Sequence, residues 1–211
     1  MEVARRIGHS FSIAWGLMNL GRHQCILGLH ADAVDPLDEG IRICERFGLS
    51  ASLGQLLIVR GTACLALGEP GGESKIDHGL ALWEQSARFS TENSLAEVVH
   101  VMAEVGRSDL AEKYQVQLER IYAETPERSH YSEYLRVGGL VKARAGDRAE
   151  AKGLLMQARA LAHNRSALLF ELRASRELVR LFGQDDDGAA HREMLAGVIK
   201  QFREGRDYPD P

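Results

Sequence analysis

Apolar residues recur three and four positions apart along most of the chain, as in Leu135, Leu140, Leu154, Leu155, Ala158 and Leu161. That spacing lines one flank of a helix with 3.6 residues per turn. A half-buried strand needs strict alternation instead, and no alternating run of β-branched residues bounded by turns occurs. The pattern predicts an all-α chain with helices at 9–27 and 31–47, 51–67 and 70–88, 91–105 and 108–124, 129–145 and 147–163, 165–182 and 187–204. Prolines number five, and two of them lie in the last three residues, so helix breaks imposed by proline are few. Pro36 is expected in the first turn of its helix, where a missing amide does no harm.

The breaks come from glycine. Gly146 follows SEYLRVGGLVKARA and precedes DRAEAKGLLMQARA. A glycine ends a helix cheaply because it enters the left-handed region without a Cβ clash, and the next residue, Asp147, can cap the following helix. The same corner is read at Gly28, Gly68, Gly106 and Gly183, giving spacings of 40, 38, 40 and 37 residues. Eleven residues before each corner stands a leucine: Leu17, Leu57, Leu95, Leu135 and Leu172. A period near forty means stacked helical hairpins. The expected architecture is one repeat domain over 1–211, an α-α superhelix of about five antiparallel hairpins at 9–47, 51–88, 91–124, 129–163 and 165–204.

A finer register sits inside the hairpins. Leu17-x-x-Leu20-Gly21 leads to Ala33-x-x-x-Leu37, Leu57-x-x-Arg60-Gly61 keeps the glycine, and Leu135-x-x-Gly138-Gly139 leads to Ala151-x-x-x-Leu155 and Ala158. These match the tetratricopeptide pattern, in which small residues sit where two helices cross. Val99 and Arg176 break the glycine position in the third and fifth units, and the period exceeds the usual thirty-four. With ARRIGHSFSIAWGLM, LLIVRGTACLALGE and RSALLFELRASRELVRLFG followed by FREGRDYPDP, essentially the whole chain resembles one group of tetratricopeptide-like regions. These are the C-terminal repeat regions of bacterial signal-transduction ATPase regulators, including many class III adenylate or guanylate cyclase-type proteins. The resemblance implies a partner-binding or signal-transmitting role in a bacterial cell, with catalysis left to upstream domains that this sequence does not contain.

Composition narrows the classes. The net charge of −4 and pI near 6.1 give no global basic excess of the kind a nucleic-acid binder carries. No run of eighteen apolar residues spans a membrane, and MEVARRIGHSFSIAWGL has neither an apolar core nor a cleavage site, so no signal peptide is read. Cys25, Cys44 and Cys64, odd in number and widely spaced, suit reduced thiols in a cytoplasm.

Candidate chemistry is sparse. Gly68 to Lys75, GEPGGESK, lacks the Gly-Lys-Ser/Thr order of a phosphate loop and is read as a corner between helices. His23, Cys25 and His30 invite a zinc reading, but His23 and Cys25 point about 200° apart on a helix. DDDG, Asp185 to Gly188, lacks the downstream ligands of a calcium loop and is read as an N-capping corner. No catalytic, cofactor or metal set is therefore expected.

The surface carries the functional expectation. The register puts Trp15, Met18 and Arg22, Gln55, Ile58 and Thr62, and Asn93, Ala96 and His100 along one groove, followed by Arg136, Arg144, Phe170, Arg173, Glu177 and Arg180. Four arginines at that spacing fit the carboxylates of an acidic peptide. The plainer alternative is that they pair across helix turns with Glu133 and Glu177. Phe11, Ile13, Trp15, Leu17, Met18 and Leu20 make the first helix apolar on more than one side, so residues 1–8, another domain or a second copy should cover it. The expected function is a non-catalytic protein-interaction scaffold, possible as a homodimer through its N-terminal hairpin, in signalling or transcriptional regulation. The alternative is a small-ligand receptor or enzyme with its pocket in the groove beside Trp15, His100 and Phe170.

Overall fold

The computed structural model describes residues 2–85, 92–124 and 128–203. Every regular element among them is a helix: α1 (Glu2–Ile7), α2 (Ser10–Ile26), α3 (His30–Phe47), α4 (Ser50–Ala66), α5 (Gly72–Gln85), α6 (Glu92–Glu104), α7 (Ser108–Glu124), α8 (Tyr131–Arg144), α9 (Arg148–Asn164), α10 (Leu168–Phe182) and α11 (Gly188–Ile199). The ten expected helices are present to within a few residues. The expected ends at 88 and 204 and the tail GRDYPDP lie outside the described residues. The short α1 was not expected. Pro36 is the seventh residue of α3 rather than part of its first turn, so its ring withholds the donor that the Asp32 carbonyl would accept.

The corners share one closure. The amide after each glycine reaches back five residues, and the glycine amide reaches back three. Leu29 donates to the Gln24 carbonyl at 2.8 Å and Gly28 to Cys25 at 3.0 Å. Glu69 donates to Cys64, Arg107 to Met102 and Asp147 to Lys142 in the same way, at 2.8, 2.9 and 3.0 Å. Gly28, Gly68, Gly106 and Gly146 have φ of 75°, 71°, 79° and 87°, where a Cβ would be strained. A second set lies twenty residues away: Gly8 (φ 68°), Gly48 (φ 65°) and Ser166 (φ 54°), each followed by the same five-residue closing bond. Gly183 departs from the expectation. Its φ is −64°, it continues the helical hydrogen bonding to Val179, and the chain turns later through Asp185 and Gly188. Asp147 caps α9 as expected, accepting the Glu150 amide at 3.1 Å.

The chain divides into two compact units, 1–101 and 102–211. In the first, α2 packs on α3 and α4, α3 on α4, and α4 on α5. Its core holds Ala14, Met18, Cys25, Ala33, Leu37, Cys44, Leu56, Val59 and Ala63. Small residues set the helix separation. A Cβ on Gly21 would strike the Leu37 side chain at 2.5 Å, and one on Gly61 would strike the Gly72 carbonyl oxygen at 2.6 Å. Seven residues away on both helices, Gly54 faces Gly79, so α4 and α5 run antiparallel over two glycine contacts. In the second unit α8 packs on α7, α9 and α10, and α10 on α9 and α11. Ala151, Leu155, Leu178 and Phe182 form one cluster, and Leu135, Ala158 and Ala174 form another. Gly139 lies against Ala151 and Leu155. The five register leucines, Leu17, Leu57, Leu95, Leu135 and Leu172, are all buried.

Candidate functional site

The four groove arginines of the second unit, Arg136, Arg144, Arg173 and Arg180, separate into two kinds. Arg136 (0% exposed) and Arg173 (3%) are buried, and both are consumed by Glu133 (1%). Arg136 donates through Nε and Nη2 to the Glu133 carboxylate at 2.9–3.1 Å, and Arg173 Nη1 donates to Glu133 Oε2 at 2.8 Å. Burial alone would push the Glu133 carboxyl up; the two guanidiniums outweigh it and hold the carboxyl below its ordinary value. These two arginines are structural and do not face a partner. The pairing of Arg136 with Glu133 is the helix-turn alternative weighed above, with Arg173 added from a helix one repeat further on.

Arg144 and Arg180 are exposed. Arg180 Nε donates to Glu177 at 2.7 Å, and its Nη2 to Glu104 at 3.0 Å. Burial lowers the basicity of Arg180, but the two carboxylates raise it more. Arg144, in the last turn of α8, has no hydrogen-bond or ion-pair partner among the described residues. Glu104, Leu140, Ala143, Arg144, Arg180 and Leu181 line a cavity of about 300 Å³. Phe170 is half-buried and meets His130 edge-on at 5.9 Å.

In the first unit, Trp15 (41% exposed) stacks on Phe11 (43%) with ring centroids 6.2 Å apart. Val3 and Ile7, at 60% and 67%, continue the same four-residue spacing back into α1. α1 packs against α2 across the Gly8 corner, yet it leaves Phe11 and Trp15 exposed. Arg22 is half-buried with Nη2 on Asn19 at 2.7 Å and a buried Nε that has no partner, and burial lowers its pKa. Gln55, Met18, Ile58, Thr62 and Ala96 are buried, so this run of the expected groove is core. His100 is half-buried on α6, and the side chain of Asn93 lies outside the described residues.

Other candidate chemistry resolves into structure. His23 is exposed, with Nδ1 2.6 Å from the Asn19 carbonyl, whereas Cys25 is buried, so the two share no site. In the GEPGGESK corner, Glu69 accepts from Arg60 Nη1 at 3.1 Å, while Arg60 Nε donates to Asp38 at 2.9 Å and Nη1 lies 2.8 Å from Cys64 Sγ. Arg60 occupies the position of the pattern's leucine before Gly61, and this three-way pairing is what lets it lie buried. Nothing in the hydrophobic spacing announced it. In DDDG, Asp185 pairs with Arg148 at 3.0 Å and Asp187 with Lys152 at 2.6 Å. Asp187 stands at the N-cap position of α11 without capping it through its side chain, so the N-capping expectation is corrected to a salt-bridged corner.

No family model matches this chain, and no curated protein matches it. No helix among the described residues is long and apolar enough to cross a membrane.

Proposed function

We propose that the chain is a non-catalytic scaffold of tetratricopeptide-like hairpins, arranged as an α-α superhelix, that docks a protein partner in bacterial signalling or transcriptional regulation. The observation that carries this reading is the Phe11–Trp15 stack: two large aromatic rings, each more than two-fifths exposed, held parallel on a helix whose other flank is core. Aromatic side chains of this kind supply much of the binding energy at protein interfaces, and contiguous exposed apolar surface marks such sites. The occupant in this reading is a partner protein or a second copy of the chain, and the compartment is the cytoplasm.

The test is photo-crosslinking in cells with p-benzoylphenylalanine at position 11, compared with the same residue at Val116, another exposed apolar site (59% exposed). Discrete crosslinked species at position 11 and none at 116 support the reading. The same pattern at both, or none at 11, overturns it. Sedimentation of the wild type and of Phe11→Ser/Trp15→Ser then separates a second copy from a foreign partner. A small-ligand receptor is the second reading, and the cavity beside Arg144 is the observation that favours it.

A further inference from the structure

We infer that the cavity between α8 and α10 in the second unit is a binding site for a small organic monocarboxylate. This inference does not depend on the scaffold reading. The carboxylate lies on Arg144, and an aliphatic body lies on Leu140, Ala143 and Leu181.

Three observations converge. The first is Arg144, a guanidinium at a cavity wall with no partner among the described residues, whereas Arg136 and Arg173 are committed to Glu133 and Arg180 to Glu177 and Glu104. A planar fork of donors without a protein partner matches a carboxylate bidentately. The second is the floor. Leu140 is buried, and Ala143 and Leu181 pack against Ala151, Leu155, Leu178 and Phe182, so the apolar surface is held rigidly beside the charge. The third is size: about 300 Å³ lies at the lower end of ligand pockets. An acid with a body of about six carbons fits that space. Inorganic phosphate does not suit it, because its whole surface is hydrophilic and three lining residues are apolar.

Glu104 sharpens the prediction. Its carboxylate holds Arg180 at 3.0 Å on the same cavity wall, so it repels an incoming anion and occupies a guanidinium that the ligand would otherwise share.

The experiment is an NMR titration of the full chain with hexanoate, and with hexanamide as its neutral isostere. Hexanoate should bind saturably with a Kd on the order of 1 mM, and hexanamide about tenfold more weakly or worse, given the strength of a charge-assisted hydrogen bond. Arg144→Gln should weaken hexanoate about tenfold and leave hexanamide unchanged, which a merely structural role would not do. Glu104→Gln should tighten hexanoate several-fold. Equal binding of acid and amide, an Arg144→Gln variant with wild-type affinity for hexanoate, or no saturable shift by about 20 mM overturns the site. So does a Glu104→Gln variant that binds hexanoate more weakly. Acetylleucine and an acetylated hexapeptide ending in leucine identify the source: equal affinities mean a free acid, and a peptide about tenfold tighter means a polypeptide end. Either result upholds the site.

Discussion

Gly54 and Gly79 face each other across the α4–α5 crossing so closely that a Cβ on Gly79 would lie 2.5 Å from the Gly54 carbonyl oxygen. The obstacle is backbone, which cannot swing aside as a side chain can. Gly79→Ala should therefore destabilise the protein by about 1–3 kcal/mol by overpacking, even though alanine is the better helix former by about 1 kcal/mol. Gly153, in the middle of α9, has nothing within 4 Å of its would-be Cβ. Gly153→Ala should stabilise by about 0.5–1 kcal/mol. Urea unfolding of the two variants reads opposite signs for one substitution type.

Ser166 holds a left-handed φ of 54° at a corner where Gly8 and Gly48 do the same work elsewhere. Ser166→Gly should raise stability by about 1 kcal/mol, since the left-handed conformation costs an L-residue about that much. Gly146→Ala, at φ 87°, should lower it by about 1–2 kcal/mol. Thermal melts followed by circular dichroism give both shifts.

Removing Glu133 leaves two buried guanidiniums facing each other. Glu133→Gln should cost about 3–5 kcal/mol at neutral pH, as breaking a buried ion pair does. The pH dependence has a defined sign. A carboxyl held below its ordinary value of 4.5 adds stability above that pH and loses it as the pH falls through its folded value. Glu69, lowered by the Arg60 hydrogen bond, and Asp187, lowered by the Lys152 hydrogen bond, act in the same direction. Urea midpoints measured from pH 7 down to pH 3 should show the wild type losing stability below about 4.5 and the gap to Glu133→Gln narrowing there. A constant gap would remove the ion pair from the account.

The three cysteines are buried and unpaired. Burial pushes the Cys25 thiol up to about 12 and Cys44 to about 11, and it also raises Cys64. At pH 8 the thiolate fraction is on the order of one in ten thousand for Cys25 and one in a thousand for Cys44. Ellman's reagent should leave all three unmodified in the native protein and titrate three thiols in denaturant. Fast labelling of any one without denaturant contradicts the burial.

Much of the fold was legible because its signals are local. The three-and-four spacing placed the helices, and glycine at Gly28, Gly68, Gly106 and Gly146 marked where they stop. The second set of corners was harder to read, since Ser166 adopts the left-handed turn without being glycine. Gly183 misled in the opposite way: its position fits the period, but the helix runs through it and turns later. α1 escaped because six residues carry too little periodicity to register. The groove was the least legible part. Arg136, Arg144, Arg173 and Arg180 look alike in sequence, and what separates them is a carboxylate forty residues from Arg173. Helical register gives the side of a helix on which a residue stands; it does not reveal which charge on the next hairpin will reach it.

The twenty-residue rhythm of the corners has a kinetic consequence. Each closing hydrogen bond spans five residues, and helices such as α2 and α3, α4 and α5, and α8 and α9 pack on the neighbour just past the bend, so little chain entropy is lost before a contact forms. Such a polypeptide should collapse rapidly and stepwise from any starting point, and a cut or insertion at one bend should leave the neighbouring pairs able to form.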